Sequence, residues 1–231
     1  MTLFALIHGA GDGGWAWHLV EEELRSRGHA TVAPDLPTDE SATLTDYADV
    51  VLDAIGTLEE LVVVVSHSYG AFTAPLVADR LPAAGLVFVA GMIPKPGEAP
   101  GDWWGNTGYG AAAHEQAAKD GGLTGSPDPY VAYYHDVPKN LADRALRDER
   151  DHPSSAADAQ PWPLDALPPV PTRFVLCTED RFFPAPFMRQ LARERLGLVP
   201  DEIESGHCLS LSRPKDLASM LESYAIEMNV P

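Results

Sequence analysis

The chain is poor in basic residues and in long apolar runs. Its 231 residues hold 16 Lys and Arg against 34 Asp and Glu, which gives a formal net charge of −18. This excess of negative charge repels phosphate groups, so nucleic acid and anionic membrane surfaces are not expected partners. Apolar runs reach only five residues, as at 61–65 and 86–90, whereas a membrane-spanning helix needs about 20.

Cysteine is also scarce, with Cys177 and Cys208 as the two thiols. Two isolated cysteines are typical of buried side chains in a reducing compartment rather than of a disulfide. Residues 1–14 have no basic stretch and reach Gly and Asp before the apolar part of a leader could form. We therefore expect no secretory signal and a cytoplasmic location.

Short β-rich runs alternate with longer amphipathic stretches along most of the chain. The predicted strands are 4–7, 31–33, 61–65, 86–89 and 173–177, and the predicted helices are 18–27, 44–55, 69–80, 186–196 and 214–228. Such alternation is typical of parallel strands joined by crossover helices. The predicted fold class is α/β, with a mostly parallel central sheet flanked by helices.

Residues 92–165 break this alternation. They form a segment of 74 residues that is rich in Gly, Pro, Ala, Trp and Tyr and shows no clear strand. Ordinary connections are much shorter, and disordered segments are poor in aromatic residues. We predict a single domain overall, with a core of 1–91 and 166–231 and a lid insertion at 92–165.

The strongest chemical signal is a serine on a sharp turn. The apolar run 62–65 leads directly into Ser66-His67-Ser68-Tyr69-Gly70. A small-x-Ser-x-Gly turn between a strand and a helix holds its serine exposed and strained at the start of the helix, as a nucleophile elbow. Ser68 is therefore the candidate nucleophile, although Ser66 stands where glycine is usual.

A serine nucleophile needs a histidine base and a carboxylate that orients it. Asp180 follows the predicted strand 173–177, at the edge where parallel sheets build their sites, and its neighbour Glu179 is a rival. His207 precedes the last helix and is the histidine in a suitable place. His29, His114 and His152 lie among polar or small residues and are predicted to be surface histidines.

The loop after the first strand is rich in glycine. Its backbone amides can approach a substrate oxygen. The turn at Ser68 resembles that of α/β hydrolases, and this resemblance implies that the amides of Ala10 and of Tyr69, which follows the nucleophile, form the oxyanion hole. We expect His8 to brace this loop by hydrogen bonds. The aromatic side chains of Trp15, Trp104 and Tyr134 are candidates for substrate binding.

The same loop also permits a dinucleotide-binding interpretation. Gly9, Gly11 and Gly14 are spaced as GxGxxG, and Asp35 follows 21 residues after Gly14. This less favoured alternative, an NAD(P)-dependent dehydrogenase, leaves the elbow unexplained. No metal is expected, because the run 114–118 begins like a zinc-protease helix but ends in Ala118 where the second histidine would stand.

Three blocks of the chain resemble the α/β-hydrolase superfamily, and within it the branch of small methylesterases and hydroxynitrile lyases with bacterial esterase relatives. The blocks are His8-Gly9-Ala10 through Trp15-x-Trp17 to Gly28-His29 and Asp35-Leu36; Ser66-His67-Ser68-Tyr69-Gly70; and Cys177-Thr178-Glu179-Asp180-Arg181 with Gly206-His207 and Leu211-x-x-Pro214. The chain order Ser, Asp, His is also the order of that superfamily.

The resemblance implies an esterase with Ser68, Asp180 and His207 as its triad and no cofactor. Lyases of this branch carry threonine at the position of Gly9 and lysine at the position of Cys208, so both positions favour the esterase. The expected partner is a small, apolar or aromatic carboxylic ester. The alternatives are a hydroxynitrile lyase-like enzyme and a ligand-binding protein without hydrolysis, and the residues do not indicate an oligomeric state.

Overall fold

Six strands of the described residues form one parallel sheet. The computed structural model describes residues 1–57 and 61–228. The strands are β1 (Thr2–Ile7), β2 (Ala30–Val32), β3 (Leu61–His67), β4 (Ala83–Val89), β5 (Thr172–Cys177) and β6 (Asp201–Ile203). Their order across the sheet is β2-β1-β3-β4-β5-β6, and every neighbouring pair is parallel.

Helices connect and flank these strands. They are α1 (His18–Ser26), α2 (Leu44–Ile55), α3 (Ala74–Asp79), α4 (Pro100–Thr107), α5 (Tyr109–Asp120), α6 (Pro129–Ala132), α7 (Lys139–Arg147), α8 (Ser155–Ala159), α9 (Ala185–Leu196), α10 (Leu209–Ser212) and α11 (Pro214–Met228). The predicted helices 44–55 and 214–228 are confirmed at both ends, and 18–27 and 186–196 each differ by one residue at one end.

The valine run of β3 lies at the centre of the sheet and is buried on both faces. Successive side chains of a strand point to opposite faces, and here Val62 and Val64 join one apolar cluster while Val63 and Val65 join the other. Strands β1 and β4 pair with β3 on its two sides. A continuous apolar run is what a strand covered by helices on both faces requires.

Two parts of the core differ from the prediction. The predicted helix 69–80 is divided into a 3-10 turn at Ser68–Phe72 and helix α3. Pro75 at the start of α3 has no amide with which to continue a preceding helix. Strand β6 was not predicted, because Asp201–Ile203 is a three-residue edge strand with two acidic residues and no apolar alternation.

The segment 92–165 contains α4 to α8 and packs on the core. Trp103 and Trp162 are fully buried in the apolar cluster on one face of the sheet. The indole of Trp162 donates a hydrogen bond to the carbonyl of Phe72 at 3.0 Å, and Glu98 forms a buried ion pair with Arg195 of α9. These contacts fix the segment against the sheet, and its role as a lid stays a prediction. None of the described helices is long and apolar enough to cross a membrane.

Candidate active site

Ser68 stands at the turn where β3 ends. Its backbone adopts φ of +49°, a left-handed conformation that costs about 1–3 kcal/mol for a residue with a side chain. Gly70 allows the turn to close, because a Cβ there would lie only 2.6 Å from the carbonyl oxygen of His8. The position of Ser66 tolerates a side chain, which is fully buried inside β3. The predicted elbow geometry is therefore present.

Asp180 and His207 meet beside this turn. The Nδ1 atom of His207 lies 2.7 Å from Oδ2 of Asp180, and both side chains are buried. The other carboxylate oxygen of Asp180 accepts hydrogen bonds from the amides of Phe182 and Phe183 at 2.8 and 2.9 Å. The side chain of Glu179, the rival carboxylate, belongs to an exposed residue. The structure thus pairs the histidine with Asp180.

Ser68 and His207 line one cavity of about 400 Å³. The hydrogen bonds of the described residues include none between the Ser68 hydroxyl and His207. Ala10, Tyr69, Trp104 and Tyr134 line the same cavity, together with further residues of the segment 92–165 such as Pro129, Tyr133 and Leu146. Every candidate site residue except Trp15 and Asp180 therefore faces this space, and Asp180 lies behind His207.

Two backbone amides at the cavity have no hydrogen-bond acceptor among the described residues. The Ala10 amide has no hydrogen-bond partner within the described part of the chain. The Tyr69 amide opens the 3-10 turn, where amides lack an acceptor within the helix. Ring nitrogens of His8 bond to the Gly9 carbonyl at 2.9 Å and to the Leu36 amide at 3.0 Å. His8 thus braces the loop, as predicted.

His67 and Asp12 are site residues whose roles the sequence did not reveal. The Nε2 atom of His67 donates to the carbonyl oxygen of His207 at 2.9 Å, and the two rings lie 4.7 Å apart. Burial lowers the pKa of His67 to about 3, so this imidazole is neutral. Asp12 lines the cavity 4.0 Å from His67 Nδ1, and burial raises the pKa of its carboxyl to about 7.

The surroundings of Trp15 and His152 differ from those that the sequence indicated. Trp15 does not line the cavity, because its ring stacks on His18 at 4.7 Å and is covered by the Arg144 guanidinium at 4.2 Å. His152 is not a surface histidine but is buried at the cavity, 4.9 Å from the ring of His8. Its polar neighbours in the sequence indicated an exposed position, whereas contacts with residues distant in the chain bury it.

The GxGxxG spacing is accounted for by contacts within the protein. Asp35 accepts a hydrogen bond from the Gly14 amide at 2.7 Å, and a Cβ at Gly14 would lie 1.9 Å from the Ala33 carbonyl oxygen. The strand order also differs from the 3-2-1-4-5-6 order of dinucleotide-binding folds. Among the described residues, no group of three or more His, Cys, Asp or Glu side chains is placed to hold a metal ion.

Buried histidines should make the fold sensitive to acid. Burial lowers the pKa values of His8, His67 and His152 to about 4, 3 and 3. Below pH 6.5 the unfolded chain therefore binds three protons on these histidines that the folded chain does not bind. Asp12 opposes one of them, because its raised pKa lets the folded chain bind a proton below pH 7. Two net protons predict a loss of about 3 kcal/mol in unfolding free energy per pH unit between roughly pH 6 and 4.

Urea unfolding across this pH range measures that slope. His152→Gln should reduce it by about half, because one of the two net protons is lost, and His114→Gln, which alters an exposed histidine of α5, should leave it unchanged. An unfolding free energy that stays constant as the pH falls below 6 would contradict the prediction.

Comparisons with known proteins agree with this architecture. A family model described as the alpha/beta hydrolase family matches residues 4–220. Norfluorocurarine synthase 1 of a Strychnos species is 26% identical, over 96% of this chain and 94% of that protein. Methylesterase 7 of Arabidopsis thaliana is 25% identical, over 96% and 95%. The crystal structure of polyneuridine aldehyde esterase superposes with a TM-score of 0.76 at 21% identity, over 97% and 99%.

Proposed function

Because the chain belongs to the α/β hydrolase family, we propose that it is a serine esterase that cleaves carboxylic esters through an acyl-enzyme on Ser68. The observation that carries this proposal is the 2.7 Å contact between Asp180 and His207 beside a strained serine turn. The names of its relatives, which include a methylesterase, support the same class of reaction.

The proposed mechanism uses only the side chains and amides of this chain. His207 takes the proton of Ser68 as the serine oxygen attacks the ester carbonyl, and Asp180 stabilises the resulting imidazolium. The amides of Ala10 and Tyr69 bind the oxyanion of the tetrahedral intermediate. His207 then protonates the leaving alcohol, and water repeats the attack on the acyl group.

Two positions favour the esterase over the lyase. A side chain at Gly9 would place its Cβ 3.1 Å from both His67 Nδ1 and the Cβ of Ser68, so glycine keeps the space beside the nucleophile open. Cys208 is a buried thiol whose pKa is raised well above its usual value by burial. It is therefore neutral, and it cannot hold a cyanide ion as a lysine can.

The cavity favours an uncharged ester with an apolar or aromatic group. Rings of Trp104, Tyr134 and neighbouring aromatic residues form its wall. The acidic residues Glu149 and Asp151 also line it, and Arg150, the one Lys or Arg among the described lining residues, is paired with Asp35 at 2.9 Å. A carboxylate on the substrate would meet negative charge without a free partner.

Hydrolysis of two esters tests the function and the charge preference together. We expect turnover of p-nitrophenyl butyrate, and a kcat/KM at least about tenfold lower for the p-nitrophenyl monoester of succinate, because its carboxylate faces the acidic lining. Because the two acyl groups match in chain length, the comparison isolates the effect of the carboxylate. The difference should shrink in high salt, which screens exposed charges.

Either half of the proposal can fail separately. A folded protein that turns over no ester, yet gains thermal stability on binding one, would replace the esterase by the ligand-binding alternative. Equal kcat/KM for the two esters would leave the esterase intact and contradict the charge preference.

A further inference from the structure

Backbone hydrogen bonds connect the last part of the segment 92–165 to the loop that carries the Ala10 amide. The Gly11 amide donates to the carbonyl of His152 at 2.8 Å, and the Arg150 amide donates to the carbonyl of Gly11 at 2.9 Å. Gly11 adopts φ of +74°, which lets this one residue direct both its amide and its carbonyl toward Arg150 and His152 of the same chain. The residue next to Ala10 is therefore held by a segment almost 140 positions further along the chain.

The Arg150 side chain extends this attachment to the far side of the loop. Its guanidinium donates to the Asp35 carboxylate at 2.9 Å and to the Leu36 carbonyl at 3.1 Å. Asp35 in turn accepts from the Gly14 amide at 2.7 Å. The Leu36 amide donates to His8, which also bonds to the Gly9 carbonyl. Arg150 thus bonds to both residues that hold the two ends of the loop.

The loop is closely enclosed between these partners. A Cβ at Gly13 would lie 2.6 Å from Oδ1 of Asp35 and 3.0 Å from Cδ of Arg150. The position therefore requires glycine while Arg150 and Asp35 stay in place. Loss of the guanidinium would remove the hydrogen bonds that hold Asp35 and Leu36 on this side of the loop.

We propose that Arg150 is a positioning residue that sets the Ala10 amide for the oxyanion, and so couples the segment 92–165 to the chemical step. This inference rests on the proposed esterase function. Arg150 need not touch the reacting atoms, because it acts through Asp35, Leu36 and Gly11. An amide displaced by a fraction of an ångström still permits substrate binding but stabilises the transition state less.

Steady-state kinetics with p-nitrophenyl butyrate separates positioning from general structural support. In Arg150→Met we expect kcat to fall about 10- to 100-fold with KM within about twofold of wild type, which is less than the loss on deleting an oxyanion donor. Affinity for a trifluoromethyl ketone, which forms a tetrahedral adduct with a serine nucleophile, should fall by a similar factor. Arg150→Lys should recover part of kcat, because lysine still offers a donor to Asp35.

Arg147→Met is the matched control, since Arg147 is an exposed arginine of α7 whose described ion pair is with Asp148. It should retain wild-type kinetics. Asp35→Asn gives an independent route, because an amide oxygen can still accept from Gly14 while the ion pair with Arg150 is lost. Combined with Arg150→Met, it should cause little further loss of kcat if the two residues act as a unit.

The outcomes distinguish this inference from the proposed function. A wild-type protein without ester turnover would overturn the proposed function and this inference with it. An active wild type with kcat unchanged in both Arg150→Met and Asp35→Asn would overturn the positioning role alone. A rise in KM with kcat and ketone affinity preserved would also overturn it, since that pattern assigns Arg150 to substrate binding.

Discussion

Ser68→Ala should lower kcat/KM for p-nitrophenyl butyrate by a factor of about 10⁵ or more, with the fold intact. The proposed acyl-enzyme forms on this hydroxyl, and no other serine lines the cavity among the described residues. The Ser68 hydroxyl makes no hydrogen bond within the described structure, so its replacement by alanine breaks none. Circular dichroism and the unfolding midpoint should therefore match those of the wild type.

Ser66→Ala provides a close control for the nucleophile. Ser66 lies two residues away in β3, is fully buried, and its hydroxyl has no hydrogen-bond partner in the described protein. Removal of that hydroxyl should keep most of the activity, and it should not lower stability. If Ser68→Ala hydrolysed the ester at the wild-type rate, the acyl-enzyme mechanism would be wrong.

Covalent labelling tests the assignment of Ser68 as the nucleophile without kinetic measurements. A fluorophosphonate should add one covalent group to the wild type at Ser68, because such reagents trap a serine activated by a neighbouring base. Mass spectrometry of the intact protein should detect no adduct in Ser68→Ala. An adduct of equal yield in this variant would place the reactive group elsewhere.

The features predicted from sequence are those set by local pattern. The valine run of β3 and the turn at Ser68 are continuous in the chain, and Asp180 follows the predicted strand β5, at the edge where parallel sheets build their sites. Helix α2 coincides with the amphipathic stretch 44–55, which predicted it over its full length. Each of these signals lies within a few residues of the feature it predicts.

The features that were missed depend on contacts between distant residues. Trp15 packs against Arg144, and His152 is buried against the rings of His8 and Tyr47. Asp35, which resembles part of a nucleotide-binding pattern, instead bonds to Gly14 and to Arg150. No local pattern specifies how a segment of 74 residues folds back, so the partners of its side chains were not predictable.

Asp180→Asn should lower kcat by about 10⁴-fold, because it reverses the hydrogen bonding of His207. One oxygen of Asp180 is held by the amides of Phe182 and Phe183. In the variant the amide oxygen must occupy that position, so its NH₂ group faces His207 Nδ1. Nδ1 then accepts rather than donates, the ring proton moves to Nε2, and the imidazole can no longer take the proton of Ser68.

The surroundings of His207 leave this variant without another carboxylate that is hydrogen-bonded to Nδ1 among the described residues. Rings of Tyr133, Phe182 and Phe183 lie 5.2 to 5.9 Å from the buried imidazole. The carboxyl of Asp12 lines the same cavity but makes no described hydrogen bond to His207, so the imidazolium would lose its hydrogen-bonded partner. Glu179→Gln is the matched control, because it makes the same chemical change on the adjacent, exposed residue, and its kcat should stay at the wild-type level. Equal losses in the two variants would mean that the negative charge of the region, rather than the hydrogen bond from Nδ1, sets the rate.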